Sequence, residues 1–190
     1  MTSGEVLNLF RETGAFLEGH FQLSSGLHSP KYLQCALVLQ HPRHAEALGR
    51  ALAGAVTAPV DLVASPALGG LIIGHEVARA LGVRHIFAER DAARRMTLRR
   101  GFSVNPGERA LIVEDVITTG GSTKEVADLL RGLGAEVAGA ASIIDRSGGA
   151  AALDVPRVSL ATLTVEAWEA AECPLCRAGA PVVKPGSRNL

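Results

Sequence analysis

Hydrophobic positions along the chain follow two alternating patterns. Four segments carry apolar residues every three or four positions, as amphipathic helices do: 5–11, 42–56, 71–81 and 122–131. Between and after them stand five short apolar runs: 61–64, 84–88, 110–113, 137–144 and 158–163. Short buried strands alternating with helices predict an α/β fold with a central, mostly parallel sheet flanked by helices.

After the first helical segment, the chain up to about residue 40 does not follow this alternation. We expect Ser3 to cap the first helix and Gly14 to end it. Residues 16–33 are rich in glycine, serine and proline between aromatic residues, which predicts short irregular strands.

A parallel sheet of this kind binds ligands at the carboxyl ends of its strands. Four segments are expected to lie there: 65–70, 89–101, 114–122 and 145–149. Candidate chemistry is therefore sought in these segments first.

The segment after the third run is the most informative. Glu114 and Asp115 follow the strand directly, and residues 118–123 read TTGGST before a predicted helix. Glycines let the backbone approach a ligand closely, and hydroxyls and free N–H groups at a helix start suit phosphate oxygens. The carboxylates suit sugar hydroxyls, or a divalent cation through water. The combination predicts a site for a phosphorylated ribose, and the missing Gly-Lys-Ser/Thr excludes a Walker-type loop.

Charge and composition narrow the class of protein. The 190 residues include 19 basic and 19 acidic side chains, so broad nucleic-acid or membrane binding is not expected. No apolar run approaches the roughly 20 residues that span a bilayer, and the N-terminus does not resemble a signal peptide. We expect a cytoplasmic protein.

The three cysteines are too few for a disulfide scaffold. Cys173 and Cys176 have the spacing of metal ligands, but structural zinc needs four ligands and this pair supplies two. Cys35, a histidine or the same pair from a second subunit could complete a site. We nevertheless favour two ordinary reduced thiols.

Three segments together resemble one known family. VEDVITTGGST, at 113–123, looks like the signature of type I phosphoribosyltransferases, which bind phosphoribosyl pyrophosphate. GHFQLSSGLHSPKYLQC, at 19–35, and SIIDRSGG, at 142–149, are similar to segments of the orotate phosphoribosyltransferases within that superfamily. The resemblance implies a type I phosphoribosyltransferase fold in one domain, 1–190. Residues 1–40 and the C-terminal tail would form a small hood.

The resemblance also implies a reaction. Orotate and phosphoribosyl pyrophosphate would give orotidine 5′-monophosphate and pyrophosphate with Mg²⁺, a step of pyrimidine (UMP) biosynthesis. The enzyme would be a homodimer in which a loop is shared between active sites. Two alternatives remain open: a phosphoribosyltransferase for another base, such as a purine, and a nucleotide- or RNA-binding regulator with the same fold.

Site residues are carried over from the family position by position. The residues implied to bind phosphoribosyl pyrophosphate are Leu68, Gly69, Arg90, Glu114, Asp115, Val116, Ile117, Thr118, Thr119, Gly120, Gly121 and Ser122. Thr118 and Arg146 are implied to contact orotate, whose carboxylate suits the two-donor fork of an arginine. The catalytic residues are expected to be Asp115, Arg90 and Arg94. No protein ligand to a metal is expected, because Mg²⁺ would bind through substrate and water.

The chain departs from the family pattern at several positions. Ser24 and Gly69 stand where many orotate enzymes carry lysine, and Lys31 or His28 is a candidate to serve in place of a lysine at position 24. In the mobile catalytic loop expected at 89–101, Asp91 replaces a lysine. The arginines that could compensate in that loop are Arg94, Arg95, Arg99 and Arg100.

Overall fold

A computed structural model describes residues 1–23 and 25–185 of the chain. Its helices are α1 (Ser3–Glu12), α2 (Cys35–Leu39), α3 (Pro42–Ala55), α4 (Gly70–Leu81), α5 (Gly121–Gly132) and α6 (Pro174–Arg177). Its strands are β1 (Phe16–Gln22), β2 (His28–Leu33), β3 (Leu62–Pro66), β4 (Arg84–Arg90), β5 (Met96–Leu98), β6 (Arg109–Ile117), β7 (Glu136–Asp145) and β8 (Arg157–Thr162).

A six-stranded sheet in the order β5-β4-β3-β6-β7-β8 forms the centre of the fold. Its strands are parallel except for β5, which pairs antiparallel with β4 at one edge. The expected α/β architecture is therefore confirmed. The sheet order also places the carboxyl ends of β3, β4, β6 and β7 side by side, which brings the four predicted segments together.

Each face of the sheet has its own hydrophobic core. On one face, α1 to α4 bury residues such as Phe10, Leu48 and Ile73. On the other, α5 buries Val126 and Leu130 against alternate residues of the central strands. Strands covered on both faces have few polar positions, which explains why they read as continuous apolar runs.

The N-terminal region forms α1 and a separate two-stranded antiparallel sheet, β1-β2. The expectation that Ser3 caps α1 was wrong. The cap is Thr2, whose hydroxyl accepts a hydrogen bond from the Glu5 N–H at 3.3 Å while the Glu5 carboxylate accepts from the Thr2 N–H at 2.7 Å. Ser3 instead donates to the carbonyl of Leu160 at 2.9 Å, so it ties α1 to β8.

The C-terminal segment returns to the β1-β2 sheet. Trp168 and His28 exchange backbone hydrogen bonds of 2.8 and 2.9 Å, and Val183 forms backbone bonds of 2.8 Å with His20 and Gln22. Among the described residues, no helix is long and apolar enough to cross a membrane.

Three short elements were not expected from the sequence: α2, β5 and α6. They contain five, three and four residues, which is less than two periods of a helix and too few for a clear strand alternation. Tertiary contacts rather than local pattern decide such elements.

Candidate active site

The loop after β6 enters α5 through a glycine in the left-handed conformation. The strand runs to Ile117, beyond its expected end at Val113, and Gly120 has φ +79° directly before the first residue of α5. A Cβ atom on Gly120 would lie 2.7 Å from the side chain of Leu153, so both the backbone angle and the space require glycine. The turn therefore places the unpaired N–H groups of the helix start beside the strand end.

Two cavities adjoin at this edge of the sheet. The first, of about 440 Å³, is lined by Leu23, Ser25, Leu27, Arg90, Glu114, Val116, Thr118, Thr119, Gly120, Gly121, Ser122, Glu125, Arg146, Val165 and Ala167. The second, of about 290 Å³, is lined by Gln22, Leu23, Tyr32, Leu33, Gln34, Glu114, Asp115, Val116, Thr118, Ser122, Arg146, Lys184 and Pro185. Six residues line both cavities, so the two form one continuous site between the sheet edge and the β1-β2 sheet.

Glu114 is held at the cavity wall by α5. Its carboxylate accepts a hydrogen bond from the Thr123 hydroxyl at 2.6 Å. Burial raises the pKa of Glu114 to about 7, the neighbouring Asp115 charge adds to this, and the Thr123 bond opposes it. Near neutral pH the group can therefore bind or release a proton as the occupancy of the site changes.

Asp115 is enclosed by three segments of the chain. Its carboxylate accepts from the Val116 N–H at 2.8 Å, and a Cβ atom on Gly69 would lie only 2.6 Å from it. The thiol of Cys35, in α2, lies beside this carboxylate and opposes the rise of its pKa. Burial raises the pKa of Asp115, although the hydrogen bonds oppose that shift. Cys35 is a contact that the sequence did not predict, because α2 is too short to be recognised.

The loop after β3 lies against this carboxylate. The peptide bond between Ala67 and Leu68 is cis, and the Leu68 side chain is 71% exposed. An added Cβ on Gly70 would lie 2.8 Å from the Val113 carbonyl, so the two glycines allow the loop to contact β6 closely. Of the two residues expected here to bind phosphoribosyl pyrophosphate, Gly69 thus adjoins Asp115 and Leu68 projects outward.

The arginine-rich segment forms an antiparallel hairpin between β4 and β5. Arg90 lines the first cavity, pairs with Glu125 at 2.7 Å and donates to the Arg94 carbonyl at 2.6 Å. Arg94 has φ +63° at the exposed turn and does not line either cavity. Arg95 and Arg100 pair with Asp91 and Glu89 at 2.9 and 2.8 Å. Among these arginines only Arg90 borders the site in this conformation.

Arg146 follows β7 directly and lines both cavities. The backbone N–H of Arg146 donates to the Ile117 carbonyl at 2.8 Å, which joins the end of β7 to the end of β6. Burial lowers the pKa of the Arg146 guanidinium, and the nearby Tyr32 opposes this. A half-buried guanidinium facing a cavity suits an anionic ligand, since an anion would offset the cost of partly burying the charge.

Ser24, which stands in place of the family's lysine, falls outside the described residues. Lys31 lies 5.7 Å from the centre of the Phe16 ring, and His28 lies in a cluster away from the cavities. Neither lines the site, whereas Lys184 lines the second cavity. Lys184 could not be identified from sequence, because it reaches the site only through the backbone pairing of Val183 with β1.

Comparisons with known proteins agree with this arrangement. Residues 37–175 match the family model described as a phosphoribosyl transferase domain. Over the full length of both chains, the protein is 53% identical to orotate phosphoribosyltransferase of Pelotomaculum thermopropionicum and 49% identical to that of Desulforamulus reducens. The chain belongs to the orotate phosphoribosyltransferase family.

Solved structures support the same fold. Orotate phosphoribosyltransferase from Aeropyrum pernix is 28% identical, with a TM-score of 0.70 over 83% of this chain and 93% of that chain. UMP synthase of Leishmania donovani superposes with a TM-score of 0.74 at 23% identity, over 86% of this chain and 37% of that chain. The second likeness bears on the fold alone.

Proposed function

We propose that the protein transfers the ribose 5-phosphate group of phosphoribosyl pyrophosphate to orotate, giving orotidine 5′-monophosphate and pyrophosphate in pyrimidine biosynthesis. The observation that carries this proposal is the meeting of three features in one site. A carboxylate pair, a glycine turn at a helix start and a half-buried arginine line the same continuous cavity.

The first cavity would hold the ribose and its 5′-phosphate. N–H groups and hydroxyls of residues 118–122 would donate to the phosphate oxygens. Glu114 and Asp115 would accept hydrogen bonds from ribose hydroxyls, and substrate binding would favour their ionised forms. Gly69 leaves room for the Asp115 carboxylate because it has no side chain.

The base would lie beside Arg146 and Thr118. The Arg146 guanidinium offers two parallel donors to the orotate carboxylate. Lys184 adds a positive charge to the second cavity, and we propose that it serves where the lysine expected at position 24 is missing. A neutral purine would leave both charges without a partner, which favours orotate over a purine.

The transition state places positive charge on the ribose and negative charge on the departing pyrophosphate. Asp115 and Glu114 would hold the sugar and face the developing positive charge. Arg90 would contact the pyrophosphate once its pairing with Glu125 is exchanged for the substrate. Bringing the two substrates into line would provide much of the remaining acceleration.

Mg²⁺ fits this site. Two adjacent carboxylates, both with pKa values raised by burial, border the cavity, and carboxylate oxygens are ligands that Mg²⁺ accepts directly or through water. Bound mainly by pyrophosphate oxygens, the ion would neutralise the charge of the leaving group.

We also propose that residues 1–40 and the C-terminal segment form a hood, and that the enzyme is a homodimer. The β1-β2 sheet and Lys184 cover the second cavity, which supports the hood. The exposed turn that carries Arg94 is free to reach a neighbouring subunit's site, where Arg94 would contact pyrophosphate. The molecular mass in solution, measured with the parent and Arg94→Ala, tests the dimer separately from the shared loop.

The test is an assay of the purified protein with phosphoribosyl pyrophosphate, Mg²⁺ and one base at a time. Orotate, uracil, adenine, hypoxanthine and xanthine are the bases to compare. We expect turnover with orotate alone. Turnover of a purine without turnover of orotate would refute the proposal.

A further inference from the structure

Four metal-ligating side chains meet away from the substrate cavities. They are His20 in β1, His28 at the start of β2, Cys173 directly before α6, and Cys176 within α6. Their ligand atoms all lie within 4.8 Å of one another. Cys35, which the sequence left open as a further ligand, lies instead beside Asp115.

The distances within this Cys–His cluster approach those of a tetrahedral metal site. The sulfur atoms of Cys173 and Cys176 each lie 3.6 Å from Nε2 of His20, and Cys176 Sγ lies 3.2 Å from Nδ1 of His28. A tetrahedral zinc with bonds of about 2.3 Å to sulfur and about 2.0 Å to nitrogen separates such atoms by about 3.6 Å. The two ring nitrogens are 2.8 Å apart and would move apart by about 0.5 Å around the ion.

Backbone contacts orient the first histidine for this role. Nδ1 of His20 lies 2.9 Å from the Ala180 carbonyl, an acceptor only, so Nδ1 must carry the proton. In the neutral ring Nε2 then presents its lone pair to the cluster. A carbonyl that fixes the second ring nitrogen is the usual support of a zinc-binding histidine.

Three of the four side chains in the Cys–His cluster are buried from solvent. His20 and His28 are each 5% exposed and Cys173 is fully buried, while Cys176 is the most exposed of the four. Four protein ligands leave no open coordination position for a substrate or water. Two sulfur and two nitrogen ligands in tetrahedral arrangement select zinc, and a closed set of this kind is structural rather than catalytic.

We propose that His20, His28, Cys173 and Cys176 bind one structural zinc ion that fastens the C-terminal segment to the β1-β2 sheet. The two histidines stand on paired strands, whereas the C-terminal segment that carries the cysteines is otherwise attached to this sheet by a few hydrogen bonds. Gln22 and Leu23 follow His20 and line the second cavity. Lys184 lines the same cavity from the C-terminal segment, directly after Val183, which pairs with β1. The zinc ion would thus hold one wall of the substrate site in place.

The first test is the metal content of the full-length protein, purified under reducing conditions and then supplied with Zn²⁺ and desalted. We expect one zinc per chain. Cys176→Ser is the most informative variant, because its exposed position makes it the least disruptive to folding, and it should retain less than about a tenth of the zinc. Cys35→Ser and His75→Asn are matched controls outside the cluster and should keep the full equivalent.

The second test uses Co²⁺ in place of zinc. A tetrahedral site with two thiolates should give visible absorption bands and a thiolate charge-transfer band, both absent from Cys176→Ser. Removing zinc with a chelator should lower the midpoint of thermal unfolding by at least about 5 °C, and adding Zn²⁺ should restore it. A parent protein without stoichiometric zinc, or a Cys176→Ser variant that binds as much as the parent, would overturn the proposal. Neither readout depends on which base the enzyme uses.

Discussion

The loop after β6 and the Cys–His cluster both gather polar groups at strand ends, but they are built in opposite ways. The end of β6 and the loop after it draw their groups from one stretch, residues 114–123, whereas the cluster joins side chains up to 156 positions apart. The loop borders an open cavity and carries two carboxylates whose pKa values are raised by burial. The cluster is closed and its members contact one another.

Because of this difference, we expect one region to determine catalytic turnover and the other to determine the stability of the fold. Glu114 and Asp115 should destabilise the empty protein, because both half-buried carboxylates form no ion pair with any residue that the structure describes. Substrate would supply their partners. The cluster has no such cost once a metal is bound. Variants in the two regions should therefore have opposite effects on activity and on stability.

The largest effect is expected for Asp115→Asn. Removing the charge that faces the developing positive charge should lower kcat/KM by about 100- to 1000-fold. The midpoint of thermal unfolding should stay the same or rise, since a buried carboxylate with a raised pKa is removed. Steady-state kinetics and calorimetry on the same preparation provide the measurement.

Cys176→Ser is the matched opposite of Asp115→Asn. It should lower the unfolding midpoint while leaving kcat within a few-fold of the parent, because the groups expected to face the reacting atoms are unchanged. Displacement of the cavity wall should appear in KM. If both variants lost activity and stability in parallel, the separation of the two regions would be wrong.

The same difference explains what sequence analysis could and could not find. The segment around Glu114, Asp115 and the glycine turn could be singled out from sequence because its chemistry is contiguous, although the strand continues to Ile117 instead of ending at Val113. The order of the longer helices and strands was predicted for a similar reason, since the spacing of apolar residues and the glycine and proline residues that end a segment are local signals. The rule that ligands bind at the carboxyl ends of parallel strands pointed to residues 145–149, and the resemblance to the family singled out Arg146 among them.

Contacts between distant segments could not be found in this way. His20 and His28 become partners of Cys173 only after the β1-β2 sheet and the C-terminal segment meet. Cys35 reaches the active site through α2, which has only five residues. Lys184 reaches it through the isolated pairing of Val183 with Phe21. The segment expected to be a mobile catalytic loop contains a hairpin in which β5 pairs with β4 at the sheet edge. The sequence did not predict it, because β5 is only three residues long.

The next effect in size is expected for Arg146→Ala. A hydrogen-bonded charge pair contributes about 1.5–3 kcal/mol, so the KM for orotate should rise about 10- to 100-fold. The KM for phosphoribosyl pyrophosphate should change much less. Arg90→Ala should give the reverse pattern, because Arg90 lines only the first cavity. Equal effects of Arg146→Ala on both substrates would argue against a specific orotate contact.

A smaller effect is expected for Gly69→Ala. The new methyl group would lie 2.6 Å from the Asp115 carboxylate, and relieving this overlap should displace the carboxylate or the loop. At about 1–2 kcal/mol, kcat/KM should fall about tenfold. Gly54→Ala, in α3 with nothing within 4 Å of the added atom, is the control and should leave kinetics unchanged. Similar kinetics for both variants would show that the close approach of Gly69 is unimportant.

The last effect does not involve catalysis and concerns the pH dependence of stability in the empty protein. Because the pKa of Glu114 is raised from 4.5 to about 7 on folding, the folded state binds more protons than the unfolded state between these values. The free energy of unfolding should therefore fall as pH rises through this window, by about 1–3 kcal/mol, with the lower end applying because the side chain borders the cavity. Glu114→Gln should remove this part of the slope, while the contribution of Asp115 stays in both proteins. Chemical denaturation in phosphate-free buffers from about pH 4.5 to about pH 8 measures the difference between parent and variant. A difference that is constant across that range would mean that Glu114 is ionised in the empty site, and that its carboxylate needs no substrate to stabilise it.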